Sequence, residues 1–246
     1  MPGMAVGCSG GSIYAATIAL GLEPQEAERQ TLDLFTSDVF EGYTSNLKSA
    51  LSGEMRFNER SSLIDDSVML ARLRAVFGDR TFEDTLYPLY IVATELYSGE
   101  RVVISSGLIV DAIRASIAIP LIFSPWTIGD QALVDGAVCD PLPLDVAIQQ
   151  GSDVIAAVGF EMPTRRRMNS YTAVTTHFNA LYMNNILKST FAFYNAVHHA
   201  EIIPILPDFE RPIGPFDTSQ IPYIIAQGEK AAAQHIPYIK RLVSVA

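Results

Sequence analysis

Cysteine, histidine and tryptophan are scarce in this chain, with two, four and one among 246 residues. Two thiols, Cys8 and Cys139, cannot build a disulfide framework. Neither they nor the histidines show the spacing of a metal site, so no metal and no cofactor is expected. Basic residues are also few: 17 Lys and Arg against 27 Asp and Glu leave a formal charge of −10. Such a balance cannot neutralise a phosphate backbone and excludes nucleic acid as a partner. It also gives no long-range attraction to anionic lipid. The one cationic cluster, Arg165-Arg166-Arg167, reads as a solvated loop. No apolar run reaches the roughly 18 residues of a bilayer span, and no charged-then-apolar leader opens the sequence. The expectation is a cytoplasmic protein whose contact with membranes is peripheral and transient. With 49% hydrophobic and 18% charged residues, the chain suits a well-packed single domain over 1–246 and not a disordered one.

What is present is concentrated near the start. Gly7-Cys8-Ser9-Gly10-Gly11 sets a serine between glycines. The short apolar run Met4-Ala5-Val6 precedes it, and a helical stretch from Ile13 to Leu20, stopped by Gly21, follows. A Gly-x-Ser-x-Gly nucleophile elbow needs that strand–turn–helix setting. The sharp turn leaves little room for neighbouring side chains and lifts the serine oxygen above the sheet edge. The helix N-terminus behind it offers unpaired N–H groups to a developing anion. Two blander readings compete: a glycine-softened turn with Ser9 or Ser12 as helix cap, and a phosphate loop, which lacks its Gly-Lys-Ser/Thr ending. Cys8, beside the apex, reads as a packing residue.

Further along, Pro24–Phe35 and Asp66–Phe77 have helical start and stop signals, and residues 36–62 read as a lid-like excursion without periodicity. Leu86–Thr94 is a dense β-prone run, and Ser98-Gly99 turns it into a second strand, Arg101–Ser105. A helix over Leu108–Ser116 and a short strand, Ala132–Val134, lead to Asp135-Gly136. Beyond it come a helix over Leu144–Gln150, a strand over Val154–Val158, and a long apolar helix from Tyr171 towards Ala200. A strand over Ile202–Leu206 and a final amphipathic helix or helix pair over Ser219–Val245, interrupted at Pro237, come last. Recurring helix–Gly–strand units predict an α/β fold, a three-layer α/β/α arrangement around a mostly parallel central sheet.

Asp135-Gly136-Ala137 alone is a common hairpin-turn signal, but its surroundings are specific. Ala115-Ser116-Ile117-Ala118-Ile119-Pro120 precedes it and Cys139-Asp140-Pro141-Leu142-Pro143 follows. With the elbow, with Ile91–Leu96 and Ser98-Gly99-Glu100, and with Gly228–Ala232 in the last helix, the chain resembles the bacterial patatin-like phospholipases. The resemblance implies a patatin-like fold and a lipid acyl hydrolase. In it Ser9 is the nucleophile and Asp135 the base of a Ser–Asp dyad, Gly10 N–H is an oxyanion donor, and Gly7, Gly11 and Gly136 are motif glycines. An ordinary aspartate is a poor base, so Asp135 has to be partly desolvated and within hydrogen-bond reach of Ser9. The implied partner is a phospholipid, lysophospholipid or simpler acyl ester.

Three alternatives stay open. His177, His198, His199 or His235 could complete a triad in the order Ser, Asp, His. The acyl-enzyme could pass its acyl group to another hydroxyl. A catalytically impaired relative could bind lipid or a protein through the same cleft. The last follows from a difference: the family's Gly-rich oxyanion loop precedes the elbow, whereas six residues stand before Gly7 here. The expectation is therefore weak activity in this form and an exposed first strand inviting a homo-oligomer.

Overall fold

The computed structural model describes residues 2–164, 166–211, 213–214 and 216–245. By contacts the chain divides into two compact units, Met1–Pro143 and Leu144–Ala246. Arg165 of the cationic cluster lies outside the described residues, while Arg166 and Arg167 are exposed.

The first unit holds five strands: β1 (Ala5–Cys8), β2 (Leu89–Glu95), β3 (Arg101–Ile104), β4 (Trp126–Ile128) and β5 (Gln131–Asp135). β2 is the hub. Its Ile91, Val92 and Ala93 are fully buried, as suits a strand covered on both faces. β1 pairs with it in parallel, from Ala5 opposite Leu89 to Cys8 opposite Val92. β3 returns antiparallel along Ile91–Thr94. β5 is also antiparallel, with Asp135 opposite Ala93, and β4 adds to β5. Since β3 occupies one edge of β2 over Ile91–Thr94, β1 and β5 have to share the other edge, end to end. Cys8 and Asp135 thus face successive residues of β2, and both strands stop at that point.

The α/β class read from the sequence is the one found, and the pairing in this unit is mixed. Connections of a few residues, 96–100 between β2 and β3 and 129–130 between β4 and β5, can only join antiparallel neighbours. β4 itself was not expected. Three residues are too few to show a period, and Gly129 at φ 59° supplies the turn that makes the hairpin.

Five helices accompany the sheet: α1 (Gly10–Ala19), α2 (Pro24–Leu34), α3 (Tyr43–Ser52), α4 (Asp66–Phe77) and α5 (Ile109–Ser116). α1 packs on β1 and β2 through Ile13, Ala15, Ala16 and Ala19, all buried. Pro24 opens α2. Asp65 caps α4 by accepting the Ser67 N–H at 2.9 Å, a favourable helix start. α3 falls where the sequence shows only a lid-like excursion. None of its residues is buried, so no apolar face marks it, and the glycines at its two ends, Gly42 and Gly53, define it.

α5 is buried at every position except Asp111, and its placement depends on Arg114. That side chain is fully buried, bonds the Asp66 carboxylate at the start of α4, and donates to Ser124 O at 3.0 Å. Its guanidinium also lies over the rings of Phe123 and Trp126, 5.3 and 5.1 Å from their centroids.

In the second unit, β6 (Val154–Val158) and β7 (Glu201–Ile205) pair in parallel across α7 (Tyr171–Val197), with α6 (Leu144–Gln149) before them and α8 (Ile221–Val245) after. The buried stripe of α7 is Ala173, Ala180, Asn184 and Leu187. Asn184 ties down the segment after β6 by bonding both N and O of Met162. α8 runs through Pro237 without interruption. The missing N–H removes one bond of the ladder, and here the helix continues past it. Among the described residues no helix is long and apolar enough to cross a membrane.

The Arg114–Asp66 contact yields a stability prediction. Asp66→Ala leaves a buried guanidinium without its counter-charge and should cost about 3–5 kcal/mol in urea unfolding. Adding Arg114→Met should recover part of that loss, and recovery of none would show that Asp66 acts only through the α4 start.

Candidate active site

Ser9 lies between the end of β1 and the start of α1. Its backbone is at φ 52°, ψ −135°, a region that costs a residue with a side chain on the order of 1–3 kcal/mol. Gly7 explains how the turn can be so tight. A Cβ there would lie 2.5 Å from the Ser12 Cα and 2.8 Å from both the Ala15 Cβ and the Gly11 carbonyl oxygen. Gly10 and Gly11 are different, because a Cβ on either would meet open space. Of the motif glycines in the elbow, Gly7 is the one that packing demands. Gly10 opens α1, where N–H groups have no intrahelical acceptor.

The sequence-derived pair is brought together. Ser9 Oγ donates to Asp135 Oδ2 at 2.5 Å, although the two residues are 126 positions apart. Asp135 is 3% exposed, and burial pushes its carboxyl up to about 6, against the opposing effect of the hydrogen bonds from Ser9 and the Ala137 N–H. The Ala137 bond, 2.8 Å to Oδ1, comes from the 3-10 turn Gly136–Val138 that ends β5. At Gly136 a Cβ would lie 2.3 Å from the Val92 carbonyl oxygen and 3.0 Å from Cys8 Sγ. Only glycine lets the turn after Asp135 press so closely on β2 and β1.

Two residues without a role in the sequence reading hold this pair in place. Ser116, fully buried at the end of α5, accepts the Ser9 N–H at 2.8 Å and donates to Val92 O at 2.7 Å. Thr94 on β2 donates to Asp135 O at 2.9 Å. Just beyond α5, Ala118 O accepts the Asp135 N–H at 2.9 Å. Ser116 and Ala118 lie in the Ala-Ser-Ile-Ala-Ile-Pro segment, but no spacing rule could tell from sequence what they bond.

Cys8 is half-buried, and burial with the nearby Asp135 charge raises its thiol well above the ordinary value. That suits a packing residue and not a competing nucleophile. Cys139 Sγ lies 3.1 Å from Thr94 Oγ1, beside the hydroxyl that Asp135 O accepts. His177, His198, His199 and His235 all belong to the second unit. The Asp135 carboxylate bonds Ser9 and Ala137.

The family model described as patatin-like phospholipase matches residues 1–148, the part containing both Ser9 and Asp135. An uncharacterized NTE family protein of Mycobacterium bovis is 32% identical over 131 residues, 52% of this chain and 34% of the relative. Another from Mycobacterium tuberculosis is 30% identical over 141 residues, 57% of this chain and 22% of the relative. The chain spans about a third of the length of the first and about a fifth of the second. With more than half of its length matched by the family model, the chain belongs to the patatin-like phospholipase family.

Proposed function

We propose that this protein is a serine acyl hydrolase that cleaves carboxylic esters of phospholipids, lysophospholipids or related acyl esters through a Ser9–Asp135 dyad. The observation that carries the reading is the 2.5 Å bond from Ser9 Oγ to a buried carboxylate. Ser9 Oγ attacks the ester carbonyl carbon while its proton passes to Asp135 Oδ2. The carbonyl oxygen becomes an oxyanion, towards which the Gly10 N–H and the start of α1 direct positive potential. Collapse expels the alcohol, which takes the proton back from Asp135 and leaves an acyl-Ser9 ester. Water then repeats the sequence: Asp135 accepts its proton, the carboxylic acid leaves, and Ser9 recovers its hydrogen. Desolvation adapts the aspartate to this work, since a carboxyl near 6 is a far better base than one near 4 and is still mainly ionised at neutral pH. Such a substrate would bring the protein to lipid surfaces transiently.

A fluorophosphonate ester should label Ser9, and Ser9→Ala should abolish that labelling. An adduct mapped to another residue by mass spectrometry overturns the assignment. Asp135→Asn should lower the acylation rate by about 10²–10⁴-fold, whereas replacing the four histidines together should cost far less. The rate should fall on acidification along a limb centred near pH 6, where Asp135 gains its proton.

Stability should move the opposite way. A folded-state carboxyl raised to about 6 binds protons more tightly than the unfolded chain does. Its contribution is fully present below about pH 4 and is lost as pH rises through 6, by about 3 kcal/mol. Asp135→Asn should therefore melt higher than the wild type at pH 8, with the gap closing by pH 4. A pH-independent gap contradicts the raised carboxyl.

A further inference from the structure

The meeting of β1 and β5 on one edge of β2 creates a local problem. The sheet ladder that holds β1 ends with Cys8 opposite Val92, and β5 takes over with Asp135 opposite Ala93. The next N–H of the β1 chain, that of Ser9, needs an acceptor at the junction, and Val92 O needs a donor. A hydroxyl can do both at one atom. Ser116 Oγ does so, accepting from Ser9 N–H at 2.8 Å and donating to Val92 O at 2.7 Å. The same short segment holds the other strand end, through Asp135 N–H to Ala118 O at 2.9 Å. Ser116 is fully buried and has no surface with which to meet a substrate.

We infer that Ser116 is a positioning residue for the reaction: it plugs the junction between β1 and β5, fixes the peptide of Ser9 in its positive-φ conformation, and so aims the Ser9 hydroxyl at Asp135. This rests on the proposed Ser9–Asp135 chemistry for its kinetic consequence but not for its structural one. Removing the hydroxyl leaves an N–H and a carbonyl unpaired inside the protein, and the Ser9 peptide is then free to relax. The bond from Ser9 to Asp135 lengthens in consequence. Since that bond holds the carboxyl down against burial, its weakening moves the Asp135 titration upward. The titratable neighbours on this side are Cys8 on β1, kept protonated by burial, and beyond it Cys139 and Asp140, the latter paired with Arg101 on β3 at 2.7 Å. None of them is altered by the substitution.

The experiment compares wild type, Ser116→Cys and Ser116→Ala. Cysteine keeps the shape and provides only a weak donor and acceptor, so the effects should be graded. Two readouts are taken on each folded protein: the saturating rate and half-saturating concentration of labelling by a fluorophosphonate ester, and the pH titration of the Asp135 carboxyl carbon by NMR. Ser116→Ala should lower the saturating rate by about 10–10²-fold, the scale of a displacement of about 1 Å, with little change in the half-saturating concentration. The Asp135 midpoint should move upward, with Ser116→Cys intermediate in both. An unchanged Asp135 titration overturns the inference, even if labelling slows, because Ser116 would then support the fold without aiming the pair. If Ser116→Ala fails to fold, Ser116→Cys against wild type decides by the same readouts. Should the wild type not be labelled at Ser9, the hydrolase reading fails, while the Asp135 titration still judges the role of Ser116.

Discussion

Two strands ending nose to nose on one edge of β2 are the constraint from which the site follows. Cys8 opposite Val92 and Asp135 opposite Ala93 place residues 126 positions apart within a single hydrogen bond. The approach is opposed by sterics and by desolvation, and the sequence around it answers both. Gly7 lets α1 close on β1, and Gly136 lets the turn after β5 close on Val92. A buried carboxylate is given two donors where none would leave it uncompensated. The geometry is thus held by backbone register, by two absent side chains and by a few short bonds.

How much of this could be read in advance depends on whether the cause is local. Gly7-Cys8-Ser9-Gly10-Gly11 announces strand, turn and helix in five residues. The boundaries of α2, α4, α5 and β6 follow from proline, Asp65, Gly78 and apolar periodicity close at hand. α3 and β4 escaped because one has no buried face and the other has three residues. Ser98-Gly99 marks the β2–β3 turn, while the pairing of β5 with β2 depends on the order of strands along β2 and is not written locally. Ser116 shows the limit most plainly. A serine at the end of a buried helix looks like any other, and its meaning comes from an N–H 107 positions away.

The elbow also illustrates a division of labour among residues of one motif. Gly7 is required by contacts with Ser12 and Ala15, while a side chain at Gly10 or Gly11 would meet nothing within 4 Å. Packing therefore accounts for Gly7, one of the two glycines of the Gly-x-Ser-x-Gly pattern, and leaves Gly11, and Gly10 at the variable position, to different demands. Gly10 follows the serine directly and opens α1, at the end of a helix where N–H groups lack i−4 acceptors.

The Ala137 N–H on Asp135 Oδ1 has a consequence for the direction of chemistry. A carboxylate with both oxygens free can rotate, and a proton taken on one oxygen may return from either. Here one oxygen is moored to the turn that ends β5, which favours one orientation of the group. Oδ2 is the oxygen that faces the Ser9 hydroxyl. In the proposed reaction a proton given to Oδ2 comes from where the Ser9 hydroxyl stands, and the group that takes it back comes to that same place. The leaving alcohol and the incoming water would then pass through one location in turn, so that departure of the first clears the way for the second.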